Sequence, residues 1–182
     1  MKKSGIIIII SITGYLAYLM LGKQQKMTTV QKTNALNDSR FLKALHFTLN
    51  YEGGYVNNPN DEGGATNRGI TQGTYNSWRK ANNLPVRAVA NLTTAEMQQI
   101  YYKNYWLAVG ADKTASLNLA IVMFDTAVLC GVRKSKQLTV QANYDVSRLL
   151  QLRLAYHQSD RNAKYFLAGW TNRVNSLSSI LG

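Results

Sequence analysis

The run Glu52-Gly53-Gly54-Tyr55-Val56-Asn57-Asn58-Pro59-Asn60-Asp61-Glu62-Gly63-Gly64-Ala65-Thr66-Asn67-Arg68-Gly69-Ile70-Thr71 sets carboxylates among glycines and turn residues just after an amphipathic segment. Its five glycines let the backbone turn tightly and approach a ligand, and they bring no apolar side chains that would make the segment part of a core. The run therefore reads as a chemical loop or short hairpin over Tyr55 to Thr71. Upstream, Asp38 is a good N-cap, and Phe41, Leu42, Leu45 and Leu49 recur at steps of three and four, which predicts a helix from Ser39 to Tyr51. Glu52 stands at the end of that helix, where the macrodipole opposes a negative charge. Packing against apolar or aromatic neighbours would also hold its proton more tightly, as a general acid requires.

Downstream, helix signals dominate. Thr71 caps a predicted helix over Gln72 to Asn82, and Asn83-Leu84-Pro85 stops it. Thr93 and Glu96 have capping-box spacing and open a helix carrying Met97, Ile100, Tyr101, Tyr105 and Trp106. An apolar helix is predicted from Ser116 to Cys130, ended by Gly131, with two more over Asp145 to Gln158 and Arg161 to Ile180. Val132 to Val140 reads as a basic connector. Trp78, Tyr101, Tyr105, Trp106 and Trp170 fall at helical spacing, and the expectation for them is core.

The chain of 182 residues, 46% hydrophobic, has room for one compact domain or two small lobes with a shared interface. Lys and Arg number 21 against 9 acidic residues, a formal charge of +12 that favours a polyanionic partner. Neither zinc-finger spacing nor a phosphate-cradling loop is present, so the charge speaks for an anionic envelope and not for nucleic acid. The single cysteine, Cys130, has no intrachain partner and lies in an apolar run as a core thiol. The two histidines, His46 and His157, are far apart, so no metal site and no cofactor are expected.

The N-terminus reads as a membrane segment. Residues 5–22 are uncharged, are preceded by Lys2 and Lys3 and followed by Lys23 and Lys26, and as a helix would extend about 27 Å, near the lower limit for crossing a bilayer. Met20-Leu21-Gly22 lacks the small-x-small pattern of a cleavage site, which favours an uncleaved anchor. The simpler topology puts the N-terminus in the cytoplasm and the remainder outside. Residues 23–37, rich in Lys, Gln, Thr and Asn, read as a polar tether.

The run from Glu52 to Thr71 closely resembles the signature of glycoside hydrolase family 108, the N-acetylmuramidases of phage endolysins and related bacterial muramidases. Glu52-Gly53-Gly54-Tyr55, Asn57, Pro59, Asp61, Gly63-Gly64, Thr66-Asn67 and Gly69-Ile70-Thr71 carry it, in order and spacing. Phe124-Asp125-Thr126-Ala127-Val128, Gly131 and Gly169-Trp170-Thr171-Asn172-Arg173-Val174 are similar to the helical peptidoglycan-binding module that accompanies these enzymes. The chain departs from the usual pattern at Asn58, Glu62, Ala65 and Leu129, and its connector from Gly131 to Asp145 is shorter than the family's helix-containing middle.

The resemblance implies a mainly α, lysozyme-like fold with a Gly-rich loop or β-hairpin at the active site, preceded by a transmembrane helix. The expected organisation is a signal-anchor segment over 1–22, a tether over 23–37, a muramidase lobe over 38–110 and a peptidoglycan-binding-like helical lobe over 111–182. It implies a muramidase that cuts the β-1,4 bond between N-acetylmuramic acid and N-acetylglucosamine, as in phage-mediated host lysis. Glu52 would be the acid, Asp61 the base or electrostatic stabiliser, with Glu62 in reserve, and Thr66 would position water. Tyr55 and Asn67 would line the sugar cleft. The expected partners are peptidoglycan and, through residues 5–22, the inner membrane. The catalytic domain would face the periplasm or cell wall, whether anchored or, as in signal-anchor-release endolysins, freed. Two other readings stay open on the sequence: a lytic transglycosylase in which Glu52 acts alone, and a non-catalytic wall-binding or virion protein.

Overall fold

The computed structural model describes residues 37–57 and 64–181. The expected membrane segment, nearly all of the tether, Asp61 and Glu62 lie outside the described residues. Among the described residues no helix is long and apolar enough to cross a membrane.

Helix α1, Ser39–Leu49, begins where the Asp38 carboxylate accepts the backbone N–H groups of Arg40 and Phe41, both at 3.0 Å. Phe41, Ala44, Leu45 and Thr48 form its buried face at steps of three and four. The regular helix stops two residues before the expected end at Tyr51. Asn50, Tyr51 and Glu52 donate instead to Phe47, Thr48 and Leu49, a tightened last turn that swings Glu52 off the helix axis.

The expected hairpin is a small three-stranded antiparallel sheet. Strand β1, Tyr55–Val56, pairs with β2, Thr66–Asn67, so that Tyr55 faces Asn67 and Val56 faces Thr66. Strand β3, Ile70–Thr71, folds back on β2 through Arg68 and Gly69, whose φ values of 49° and 73° make a two-residue turn of the primed type that matches the strand twist.

Thr71 caps α2, Gln72–Ala81, by accepting the Thr74 N–H. Helix α3, Thr94–Tyr101, carries the capping box between Thr93 and Glu96 and runs on into a wider turn, Tyr102–Leu107, that delivers Trp106 to the core. The central helix α4, Leu117–Cys130, is apolar on nearly every side and buried from Leu119 to Ala127, as befits a helix surrounded by others. It packs on α1, on α5 (Val132–Gln141) and on α6 (Val146–Gln158), while α7 (Ala163–Leu181) packs on α6. Phe41, Tyr102, Trp106 and Phe124 meet at ring-centroid distances of 5.0 to 5.9 Å in one core shared by the N-terminal and C-terminal helices.

Helix α5 corrects the reading of residues 132–140 as a connector. Its inner face is Ser135, Leu138 and Thr139, and the two hydroxyls donate to the carbonyls of Met123 and Ser135 at 2.7 and 2.8 Å. A helix whose buried stripe is two-thirds hydroxyl shows no apolar period, and the basic residues occupy its other faces.

Two polar groupings brace this frame. Glu96 accepts from Arg79 at 2.6 Å, from Arg87, from the Tyr75 hydroxyl at 2.9 Å and from Thr93. Burial pushes its carboxyl up, but the Thr93 and Tyr75 donors with Arg87 outweigh that and hold it below the ordinary range. Glu96→Ala removes the capping box and leaves Arg79 nearly buried and unpaired, so it should cost about 2 to 4 kcal/mol, read as a lower urea midpoint at unchanged slope.

His157, buried and stacked on Trp170 at 4.7 Å, is pushed down to about 4 by burial and by the Arg153 charge. The unfolded chain binds a proton near pH 6.5 that the folded one refuses until about 4, so stability is present above 6.5 and is lost as pH falls through that window. His157→Phe should flatten this part of the urea-midpoint profile, by up to about 3 kcal/mol between pH 7 and 4.

Candidate active site

Glu52 leaves α1 on the tightened turn and enters the space between the sheet and the helices, its side chain 18% exposed. One carboxylate oxygen, Oε1, faces the guanidinium of Arg173 on α7, with both Nη1 and Nη2 at 3.3 Å. The other, Oε2, lies against the β2–β3 turn. A Cβ built on Gly69 would fall 2.7 Å from Oε2 and 2.5 Å from the Tyr101 hydroxyl, so the turn touches the carboxylate with bare backbone. The Tyr101 hydroxyl donates to the Arg68 carbonyl at 2.8 Å, tying the end of α3 to the same turn. The neighbourhood, expected to be apolar or aromatic, is therefore aromatic and also cationic. Burial and the Glu52 charge push the phenols of Tyr101 and Tyr105 up, so both are neutral beside the carboxylate.

Behind Glu52 lies a buried ion cluster. Asp125 on α4 is fully buried. It accepts the Thr48 hydroxyl at 2.8 Å, Arg153 Nη1 at 2.7 Å, and a fork from Arg173 with Nη2 at 2.7 Å and Nε at 3.2 Å. Burial alone would push the Asp125 carboxyl up; the two arginines outweigh it and hold the group below the ordinary carboxylate range. Arg173 also lies over the Tyr51 ring, 5.0 Å from its centroid. Thr48, Tyr51 and Glu52 thus present three successive contacts from the end of α1 to one arginine–aspartate unit.

The expected site residues divide. Thr66 sits half-buried on β2 opposite Val56, one strand from the segment that follows Glu52. Tyr55 is 50% exposed on β1 and free to meet a ligand. Asn67 is 8% exposed, and its amide donates to the carbonyls of Val89 at 3.0 Å and Ala90 at 3.4 Å, pinning the sheet to the turn before α3. Trp78, Tyr101 and Trp106 are core, as their spacing predicts. Among the described residues, no His, Cys, Asp and Glu side chains converge closely enough to hold a metal ion.

Sequence reasoning missed Arg173, Asp125 and Gly69 as parts of the site. One signal was available. Asp125 is the lone carboxylate in the apolar run 119–130, and a buried carboxylate there demands a cation from elsewhere in the chain.

Residues 45–131 match the family described as Glycosyl hydrolase 108. The structure of Brucella abortus SagA superposes with a TM-score of 0.64 at 28% identity, over 78% of this chain and 92% of that one. No curated protein matches the sequence. The match and the structural likeness mark the chain as a glycoside hydrolase acting on peptidoglycan. Glu52, Thr66 and Asp125 fall inside the matched residues, whereas Arg153 and Arg173 come from beyond them.

Gly69 offers a direct check on the site. Any side chain there meets the Glu52 carboxylate, and the positive φ penalises it as well. Gly69→Ala should lower peptidoglycan hydrolysis by about 100-fold or more by displacing the carboxylate, with a stability loss of only about 1 to 2 kcal/mol. Turbidity clearing beside thermal unfolding separates the two effects.

Proposed function

We propose that this hydrolase is an N-acetylmuramidase, cleaving the β-1,4 bond between N-acetylmuramic acid and N-acetylglucosamine. The observation that carries the reading is the Glu52 carboxylate itself. It is partly exposed at the root of the sheet and held between a fixed guanidinium and bare turn backbone.

Glycosidic cleavage needs a proton on the leaving oxygen and either negative charge or an activated water near the oxocarbenium-like carbon. In this reading Glu52 gives its proton to the glycosidic oxygen. The C1–O bond breaks with its electron pair going to that oxygen, and water supplies the hydroxyl that ends on C1. Asp61 is the second carboxylate, as base or electrostatic stabiliser, supported by its place nine residues on in the same loop as Glu52. Thr66 positions the water, supported by its seat on the strand that pairs with β1. Tyr55, half exposed on β1, is the aromatic surface for a sugar ring.

The proposal extends to where the enzyme works. Residues 5–22 carry no charge and reach far enough as a helix to anchor the chain in the inner membrane. The excess of basic residues draws the catalytic domain to the anionic wall outside it. Lysis of a host cell by a phage-encoded enzyme is the role that this combination supports.

The test is mass spectrometry of the muropeptides released from purified peptidoglycan, with a folded Glu52→Gln variant as control. Wild type should release fragments with reducing muramic acid ends, and the variant should lose at least about 1,000-fold in rate. Anhydro-muramic ends would make the enzyme a transglycosylase, and reducing glucosamine ends would overturn the bond assignment.

A further inference from the structure

The geometry points to Arg173 as a positioning residue for the acid: the last helix completes the active site by holding a cation against Glu52, which helps that side chain release its proton. The inference rests on the reading of Glu52 as the acid.

The buried cluster holds two arginines, Arg153 and Arg173, and one aspartate, Asp125. One aspartate neutralises one of them. The other anion that touches the cluster among the described residues is Glu52. With Glu52 ionised the four groups balance; with Glu52 protonated a positive charge is left over in a site where both arginines are nearly fully buried.

During bond cleavage the O–H bond of Glu52 breaks and a new O–H bond forms on the leaving oxygen. Negative charge therefore grows on the carboxylate 3.3 Å from Arg173. An attraction stronger after proton transfer than before it lowers the barrier, and it acts most effectively when the cation is already fixed in place. Asp125 fixes it, with Nε and Nη2 of the guanidinium locked at 3.2 and 2.7 Å and the Tyr51 ring against its face.

The groups facing Glu52 from the packed elements are Arg173 on α7, Tyr101 and Tyr105 at the end of α3 and the turn after it, and Asp125 on α4 behind Arg173. The tyrosines are neutral, so among the described residues Arg173 is the charge in direct contact.

The experiment measures kcat and KM against pH on solubilised glycan strands for the full chain, Arg173→Met, Arg173→Lys and Glu52→Gln, with thermal unfolding of each. Arg173→Met should lower kcat by about 10- to 100-fold with KM within about twofold. Arg173→Lys should regain part of kcat at constant KM, because one ammonium cannot bridge both carboxylates.

A folded Arg173→Met with wild-type kcat, or a loss confined to KM, overturns the inference. If the Met variant does not fold, Arg173→Lys decides: kcat reduced about 3- to 10-fold at constant KM supports it, and wild-type kcat overturns it. An active Glu52→Gln overturns the acid assignment and this inference with it. An inactive Glu52→Gln beside a wild-type-like Arg173→Met overturns the inference alone.

Discussion

The pairing of Asp125 with Arg153 and Arg173 is the constraint on which the molecule depends. Asp125 sits in the middle of the most apolar helix, without access to water, and an ionised carboxylate there is tolerable only if cations and donors surround it. It obtains them from three other helices: Thr48 of α1, Arg153 of α6 and Arg173 of α7. A helix that must bring a guanidinium to a fixed point has little freedom to slide or rotate. The two C-terminal helices are thereby registered against α1, and α1 leads directly into Glu52. Apolar packing alone would leave that register softer, since hydrophobic contact is not directional.

A second constraint comes from the sheet side. Strands of two residues have little stability of their own, and their position is set by what ties them down. Asn67 binds the backbone before α3, the Tyr101 hydroxyl binds the Arg68 carbonyl, and Thr71 passes straight into the cap of α2. The turn at Gly69 is consequently held against the Glu52 carboxylate from below while Arg173 holds it from above. The site is a junction of the sheet, α1 and α7, and no one of these elements defines it.

The sequence made the helices legible because their starts are local chemistry. Asp38, Thr71, Thr93 with Glu96, Ser116 and Asp145 each satisfy a backbone N–H two or three residues on, and each stands where its pattern placed it. Helix α5 escaped because Ser135 and Thr139 fill inward positions that apolar residues usually take, and their hydroxyls are satisfied only by carbonyls that folding brings near. The Glu-Gly-Gly signature located Glu52, and the same resemblance implied that Asn67 faces sugar. Its structural duty is invisible until the turn over Val89 to Asn91 packs across it. Arg173 was the least legible, because a contact across 121 residues between two charges leaves no period and no spacing to read.

That same separation bears on how the enzyme is made. A chain emerging from the ribosome or from an export channel presents Glu52, the glycine-rich loop and Asp125 early, yet the guanidinium that bridges Glu52 and Asp125 arrives only when the final helix has cleared the exit. Until then Asp125 has Arg153 alone as its counter-ion and Glu52 lacks the guanidinium that holds it, so the early portion has reason to stay loosely packed. Synthesis thus carries its own safety catch: a partly made or prematurely ended chain holds Glu52 without the neighbour that fixes it in place.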